Sequence, residues 1–222
     1  MSYSIAIDGP AGAGKSTIAK MIAKKRELIY VDTGAMYRAM ALYLIRKGIQ
    51  PEETERISEE CVHADITIRY ENKEQVVYLN GENVNAYLRT EEVGNMASKS
   101  SVNPRVREKL VSLQQKLAAT AEVIMDGRDI GTVVLPDADV KIYLTASTTV
   151  RAKRRFDELA AKGENPDFDS IEADIKERDY RDMHRDISPL KQAEDAILVD
   201  TSDMTIEEVV DRIIEIADAK GK

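Results

Sequence analysis

The sequence predicts an α/β chain, with five strands in a parallel sheet flanked by helices, one small antiparallel insert and a helical lid. Three observations carry this. Gly9-Pro10-Ala11-Gly12-Ala13-Gly14-Lys15-Ser16-Thr17 fits the P-loop pattern G-x-x-x-x-G-K-[ST] without a mismatch and lies between a strand-like and a helix-periodic run, as that motif requires. Short apolar runs then alternate with amphipathic segments along most of the chain, as βα units do. Between residues 63 and 89 this gives way to period-two patterning beside an Asn-Gly dipeptide, the mark of a hairpin.

Taken in order, Tyr3-Ser4-Ile5-Ala6-Ile7 enters the loop as a strand, and Ile18, Ala19, Ile22 and Ala23 recur at helical spacing after it. Glu27 to Val31 is a second buried strand, ending at the turn signal Asp32-Thr33-Gly34. From Ala35 to Lys47, Met36, Ala39, Met40, Tyr43 and Leu44 mark one helical face, and Gly48 stops it. In an open parallel sheet, ligands sit outside the carboxyl ends of the strands, so the P-loop and residues 32 to 38 are expected to border one crevice.

A short helix follows from Glu52 to Val62. Ile66, Ile68 and Tyr70 alternate, as do Val76, Tyr78 and Asn80 against Val77 and Leu79, and Asn80-Gly81 supplies a tight turn. Residues 63 to 89 thus read as an antiparallel insert on the substrate side, within a single domain spanning 1 to 222. A helix from Thr90 carries Val93, Met96 and Ala97 on one face, and Asn103-Pro104 caps a longer one running to about Ala119 with Val106, Leu110, Leu113 and Leu117 inward. Glu122 to Met125 is the third strand, closed by Asp126-Gly127-Arg128-Asp129, and Val140 to Leu144 is the fourth, after an irregular connection from Ile130 to Asp139. Helical runs at Thr149–Ala161 and Ile171–Arg185, joined by the polar stretch Gly163-Glu164-Asn165-Pro166, form a candidate mobile lid over 151–185. Ala196 to Val199 is the fifth strand. The last helix, Thr205 to Ala217, opens on a Thr205/Glu208 capping box and turns Ile206, Val209, Val210, Ile213, Ile214 and Ala217 to one side.

Composition narrows the function. The chain has 222 residues, 43% of them hydrophobic, enough to fill the core of one sizeable domain. Its formal net charge of −8 argues against a general binder of nucleic acid or anionic membranes, so an anionic substrate must be caught by local arginines. Cys61 is the single cysteine, and His63 and His184 stand far apart, which disfavours a disulfide framework, a cysteine-rich zinc site and a catalytic triad. Met1-Ser2-Tyr3 leads into the first strand without a signal-peptide pattern, and no apolar run is long enough to cross a bilayer, so a cytoplasmic location is expected.

The P-loop glycines let successive N–H groups point at phosphate oxygens, and the helix behind adds its positive end. Lys15 is placed to reach the β- and γ-phosphates of a nucleoside triphosphate and the Ser16 hydroxyl to bind Mg²⁺. Phosphoryl transfer needs alignment and positive charge over the travelling group more than covalent help. Arg178, Asp182 and Arg185 stand at i, i+4 and i+7 on one helical face; Arg151, Arg154 and Arg155 share a face of the preceding helix. Asp126 and Asp129 flank Arg128 beyond the third strand, where an aspartate can orient Mg²⁺-bound water or a substrate hydroxyl.

With these residues in place, the chain resembles the bacterial cytidylate kinases of the nucleoside monophosphate kinase group, from about Ser4 to Ala217. The resemblance is carried by Ile7-Asp8-Gly9-Pro10, Asp32-Thr33-Gly34-Ala35-Met36-Tyr37-Arg38, Arg89-Thr90-Glu91-Glu92-Val93, Pro104-Arg105-Val106-Arg107, Asp126 through Val134, and Lys176-Glu177-Arg178-Asp179 with Arg181-Asp182. It implies a P-loop kinase fold, with a core, a monophosphate-binding part and a lid. It further implies a monomer that transfers the γ-phosphoryl group of ATP to CMP or dCMP with Mg²⁺. By the same resemblance, Thr33, Arg38, Arg128 and Arg185 hold the CMP phosphate, Ser98, Arg107 and Asp129 read cytosine, and Arg178 and Asp182 meet the sugar. Lys15, Arg128, Arg178 and Arg185 are the group expected to carry catalysis. Competing readings are a P-loop kinase for another small acceptor, such as another monophosphate or shikimate, and a GTPase-type switch. The switch needs N-K-x-D after a strand, whereas Asn72-Lys73 continues as Glu74-Gln75 inside the insert.

Overall fold

The computed structural model describes residues 3–71 and 74–220; Met1 with Ser2, Asn72 with Lys73, and Gly221 with Lys222 lie outside the described residues. In chain order the elements are β1 (Ser4–Asp8), α1 (Lys15–Arg26), β2 (Ile29–Asp32), α2 (Thr33–Arg46), α3 (Thr54–Glu60), β3 (Ile66–Glu71), β4 (Glu74–Leu79), β5 (Glu82–Asn83), α4 (Glu91–Ser100), α5 (Pro104–Ala118), β6 (Val123–Gly127), β7 (Val140–Thr145), α6 (Thr148–Ala161), α7 (Phe168–His184), β8 (Ile197–Asp200) and α8 (Ile206–Ala219). They fall into two compact units, one of Met1–Ile29 with Ala121–Lys222 and one of Tyr30–Thr120.

The larger sheet has the order β2-β6-β1-β7-β8. β1 lies parallel to both β6 and β7, and β7 to β8. Every residue of β1 is buried, which is why its centre, Ile5-Ala6-Ile7, reads as a continuous apolar run rather than an alternating one. The register sets Ile7 opposite Asp126 and Asp8 opposite Gly127. Two strands therefore end side by side, and the P-loop emerges next to the Asp126–Asp129 turn.

That exit is sterically tight. Gly9 has φ +149°, and a Cβ there would lie 1.9 Å from the Leu144 carbonyl oxygen of β7. Only glycine fits so close a backbone approach. Gly9→Ala is expected to lower stability by at least about 3 kcal/mol, read as a large fall in melting temperature. An unchanged melting temperature would show that the strand and loop separate freely.

Between β6 and β7 the expected irregular connection contains a wide helical turn at Ile130–Val134, with Val134 N–H donating to Asp129 O and Leu135 N–H to Ile130 O. α8 has its capping box at Thr205 and Glu208, but its buried stripe is Val209, Val210, Ile213, Ile216 and Ala217, with Ile206 exposed. The first turn supplies the cap and leaves Ile206 beyond the packed face.

In the second unit, β3, β4 and β5 form the antiparallel sheet. Leu79 pairs with Glu82 across a turn in which Asn80 and Gly81 both have positive φ, 49° and 81°, as a two-residue hairpin turn demands. Asp32 is a helix cap as well as a turn residue: its Oδ1 accepts the Ala35 N–H at 2.8 Å, so α2 starts at Thr33, two residues before the apolar periodicity begins. Asn103 caps α5 through Arg105 and Val106 N–H, while its amide donates to Thr54 O and Ser58 Oγ beside α3. The buried stripe of α5 is Val106, Arg107, Leu110 and Gln114; Leu113 and Leu117 are only partly covered. Two polar residues occupy core-facing positions there, and a count of apolar residues passes over them.

Candidate functional site

In the first unit the P-loop turns through Gly12 and Gly14, both at positive φ, and α1 begins at Lys15 with no acidic residue in its first turn. Its N-terminal N–H groups and the positive end of the helix thus face the loop. Lys15 is buried and its Nζ donates to Pro10 O at 2.7 Å. Burial, and then the nearby Arg128 charge, push the Lys15 ammonium down to about 7, against the pull of Asp126, Asp8 and Asp182. The charged form of Lys15 is therefore costly in the bare loop and gains from any anion brought to it. Ser16 Oγ donates to Asp126 Oδ2 at 2.9 Å, across the boundary that the β1–β6 register creates.

The arginines around this loop have defined partners. Arg128 Nε donates to Asp182 Oδ2 of α7 at 2.8 Å. Burial alone would raise the Asp182 carboxyl, but the Arg128 guanidinium, with smaller help from Arg178 and Arg185, holds it below the usual range. Arg185 Nη2 lies 3.9 Å from Asp129 Oδ1, and its Nε donates to Ser188 O at 2.7 Å. Arg185 is the first residue after α7, with extended backbone, so it reaches Asp129 from the helix end and not from a helical face. The structure thereby gathers Lys15, Ser16, Asp126, Arg128, Asp129, Arg178, Asp182 and Arg185 in one unit.

The three arginines of α6 diverge. Arg151 is buried, donates from Nη1 to Ala11 O at 2.9 Å and from Nε to Ala146 O at 2.9 Å, and pairs with Asp179 at 2.7 Å. Arg154 donates to Thr201, and Arg155 pairs with Glu158. A shared helical face therefore splits into one brace under the P-loop and two separate contacts. A charge pattern gives the face but not the partner.

The second unit holds Thr33, Arg38, Ser98 and Arg107. Thr33 is buried at the start of α2. Arg38 Nη2 donates to Asp32 Oδ2 at 3.1 Å, and Arg89 approaches the same oxygen at 3.5 Å. Gln75 of the small sheet completes this corner, its Oε1 accepting Asp32 N–H and its Nε2 donating to Asp32 O. Arg107 is 3% exposed, donates from Nη1 to Ser101 O at 3.2 Å and lies 5.6 Å from the Tyr37 ring centroid. Ser98 is buried on α4. Asp32, Gln75 and Asp179 were not among the expected site residues, because their roles come from pairings distant in sequence, and Arg151 was singled out only as part of a charged helical face. Asp32 alone carried a local signal, as a cap-forming residue after a strand.

A family model described as cytidylate kinase matches residues 5–219. A cytidylate kinase of Lactobacillus johnsonii is 50% identical over 218 residues, covering 98% of this chain and 95% of the relative. One from Caldicellulosiruptor saccharolyticus is 51% identical over 213 residues, covering 96% and 94%. Among solved structures, a shikimate kinase from Bacteroides thetaiotaomicron has TM-score 0.50 at 15% identity over 97% of this chain and 98% of that one, a likeness of fold.

Proposed function

Because the chain belongs to the cytidylate kinase family, we infer that it transfers the γ-phosphoryl group of ATP to CMP or dCMP, giving ADP and CDP or dCDP. The observation that carries this is the family match over residues 5–219, which takes in the P-loop and every arginine of the site. The two units divide the work. In the first, Gly9 to Thr17 cradle the triphosphate, and Lys15, Arg128, Arg178 and Arg185 stabilise charge on the phosphoryl group in flight. Arg128 and Arg185 also serve the acceptor phosphate, Asp129 the base, and Arg178 and Asp182 the sugar. In the second, Thr33 and Arg38 hold the phosphate, and Ser98 and Arg107 read cytosine.

Mg²⁺ fits the oxygen donors at the loop. Ser16 Oγ and the Asp126 carboxylate are hard ligands 2.9 Å apart, and among the described residues no cluster of three or more His, Cys, Asp or Glu would hold a metal without phosphate. Ser16 and Asp126 would hold the ion, which shields phosphate charge when bound. The antiparallel part, 63–89, serves the monophosphate side and 151–185 serves as lid. The enzyme works as a cytoplasmic monomer on small nucleotides, without nucleic acid or membrane. Its acidic balance disfavours nucleic acid and anionic membranes as partners, and no helix among the described residues is long and apolar enough to cross a membrane.

A panel of nucleoside monophosphates, with shikimate as a further acceptor, incubated with ATP and Mg²⁺ and scored for ADP, tests the reading. CMP and dCMP should exceed UMP, AMP, GMP and shikimate by orders of magnitude. Equal use of AMP or GMP would overturn it.

A further inference from the structure

The last residue of β1, Asp8, is a buried carboxylate with no part in the assignments above. Its Oδ1 accepts the Ile130 N–H and its Oδ2 the Gly131 N–H, each at 2.7 Å. Those N–H groups open the helical turn that follows Arg128 and Asp129 and have no acceptor within the turn itself. On its other side Asp8 is bonded to Gly9, the first residue of the P-loop, which lies hard against the Leu144 carbonyl. We propose that Asp8 is a positioning residue for phosphoryl transfer, its two carboxylate oxygens fixing the Arg128–Asp129 turn in register with the P-loop.

The chemistry of the pair suits a carboxylate alone. Two N–H donors converge on one side chain, and an ionised carboxylate offers an acceptor to each. The isosteric amide would keep one acceptor and present its NH₂ to the other donor. Lys15 and Asp129 face the carboxylate, and Tyr143 stands opposite Asp8 on β7. Gly131 borders the same corner: a Cβ on it would lie 3.2 Å from Lys141 Cδ and 3.4 Å from Asp8 Oδ2. Displacing reacting groups by about 1 Å costs on the order of 10²-fold in rate, so this registration is where a hydrogen-bond pair can control turnover.

The inference rests on the reading that Arg128 acts on the phosphates, and a double-mutant cycle separates the two. Asp8→Asn is expected to lower kcat with CMP by about 10²-fold while leaving KM for ATP within about twofold. In an Arg128→Met background the same change should lower kcat little further, because the group being positioned is gone. Full kcat in Asp8→Asn beside an impaired Arg128→Met would overturn the positioning role alone. So would an undiminished effect of Asp8→Asn on Arg128→Met. Full activity of Arg128→Met would overturn the Arg128 assignment and this inference with it. Should Asp8→Asn fail to fold, Asp8→Glu keeps an ionised carboxylate but displaces its oxygens by one methylene; a kcat loss at unchanged KM supports the proposal, and unaltered kcat overturns it.

Discussion

Replacing Lys15 with methionine is expected to lower turnover about a thousandfold or more while the protein stays folded. Methionine matches the length of the buried stem and gives up only the charge and the donated bond to Pro10 O. In the bare loop that charge is held at some cost, since burial and Arg128 both depress the ammonium. The cost reverses when phosphates arrive, and it reverses most where negative charge grows in the transition state, so the loss should fall on kcat more than on binding. Steady-state kinetics with a melting curve decide it. Turnover within tenfold of the parent enzyme would remove Lys15 from the mechanism.

Replacing Arg107 with methionine is expected to lower kcat/KM for CMP by about 10² to 10³-fold and that for UMP far less. Cytosine and uracil are nearly the same size, but cytosine N3 accepts a hydrogen bond where uracil N3–H donates one. A guanidinium donor therefore suits one ring and meets the other like-to-like, and a site built on such a pairing discriminates strongly. Arg107 is 3% exposed and anchored through Ser101 O, so its remaining geometry is fixed before any ligand enters. Competing CMP and UMP assays, with stability measured beside them, give the ratio. Equal losses on both substrates would mean that Arg107 supports the fold of its unit and does not read the base.

Elements whose signal is local were legible in the sequence: the P-loop between β1 and α1, the Asn80-Gly81 hairpin, the Asn103-Pro104 start of α5 and the capping box of α8. Each depends on a few adjacent residues with restricted backbone chemistry. The wide turn at Ile130–Val134 was not legible, because its N–H groups are satisfied by Asp8 from 122 and 123 residues away. Nor was the burial of Arg107 and Gln114 on α5, since a hydrophobic pattern counts only apolar side chains. The arginines were singled out by type, but their partners, Asp182 for Arg128 and Asp179 for Arg151, belong to tertiary structure. Sequence shows which charges are present, and folding decides which of them meet.

The sheet order has a consequence for biosynthesis. β1 is the first strand to leave the ribosome, yet its two neighbours are β6 and β7, and its Ser4 N–H bonds to Asp139, 135 residues later. Tyr30–Thr120, by contrast, is continuous and complete before either neighbour has been synthesised. At about 5–20 residues per second, β1 remains unpaired, with its Ile5-Ala6-Ile7 centre uncovered, for on the order of ten seconds. The nascent chain is therefore expected to fold its middle first and to hold its nucleotide-binding strand open until β6 and β7 have been made.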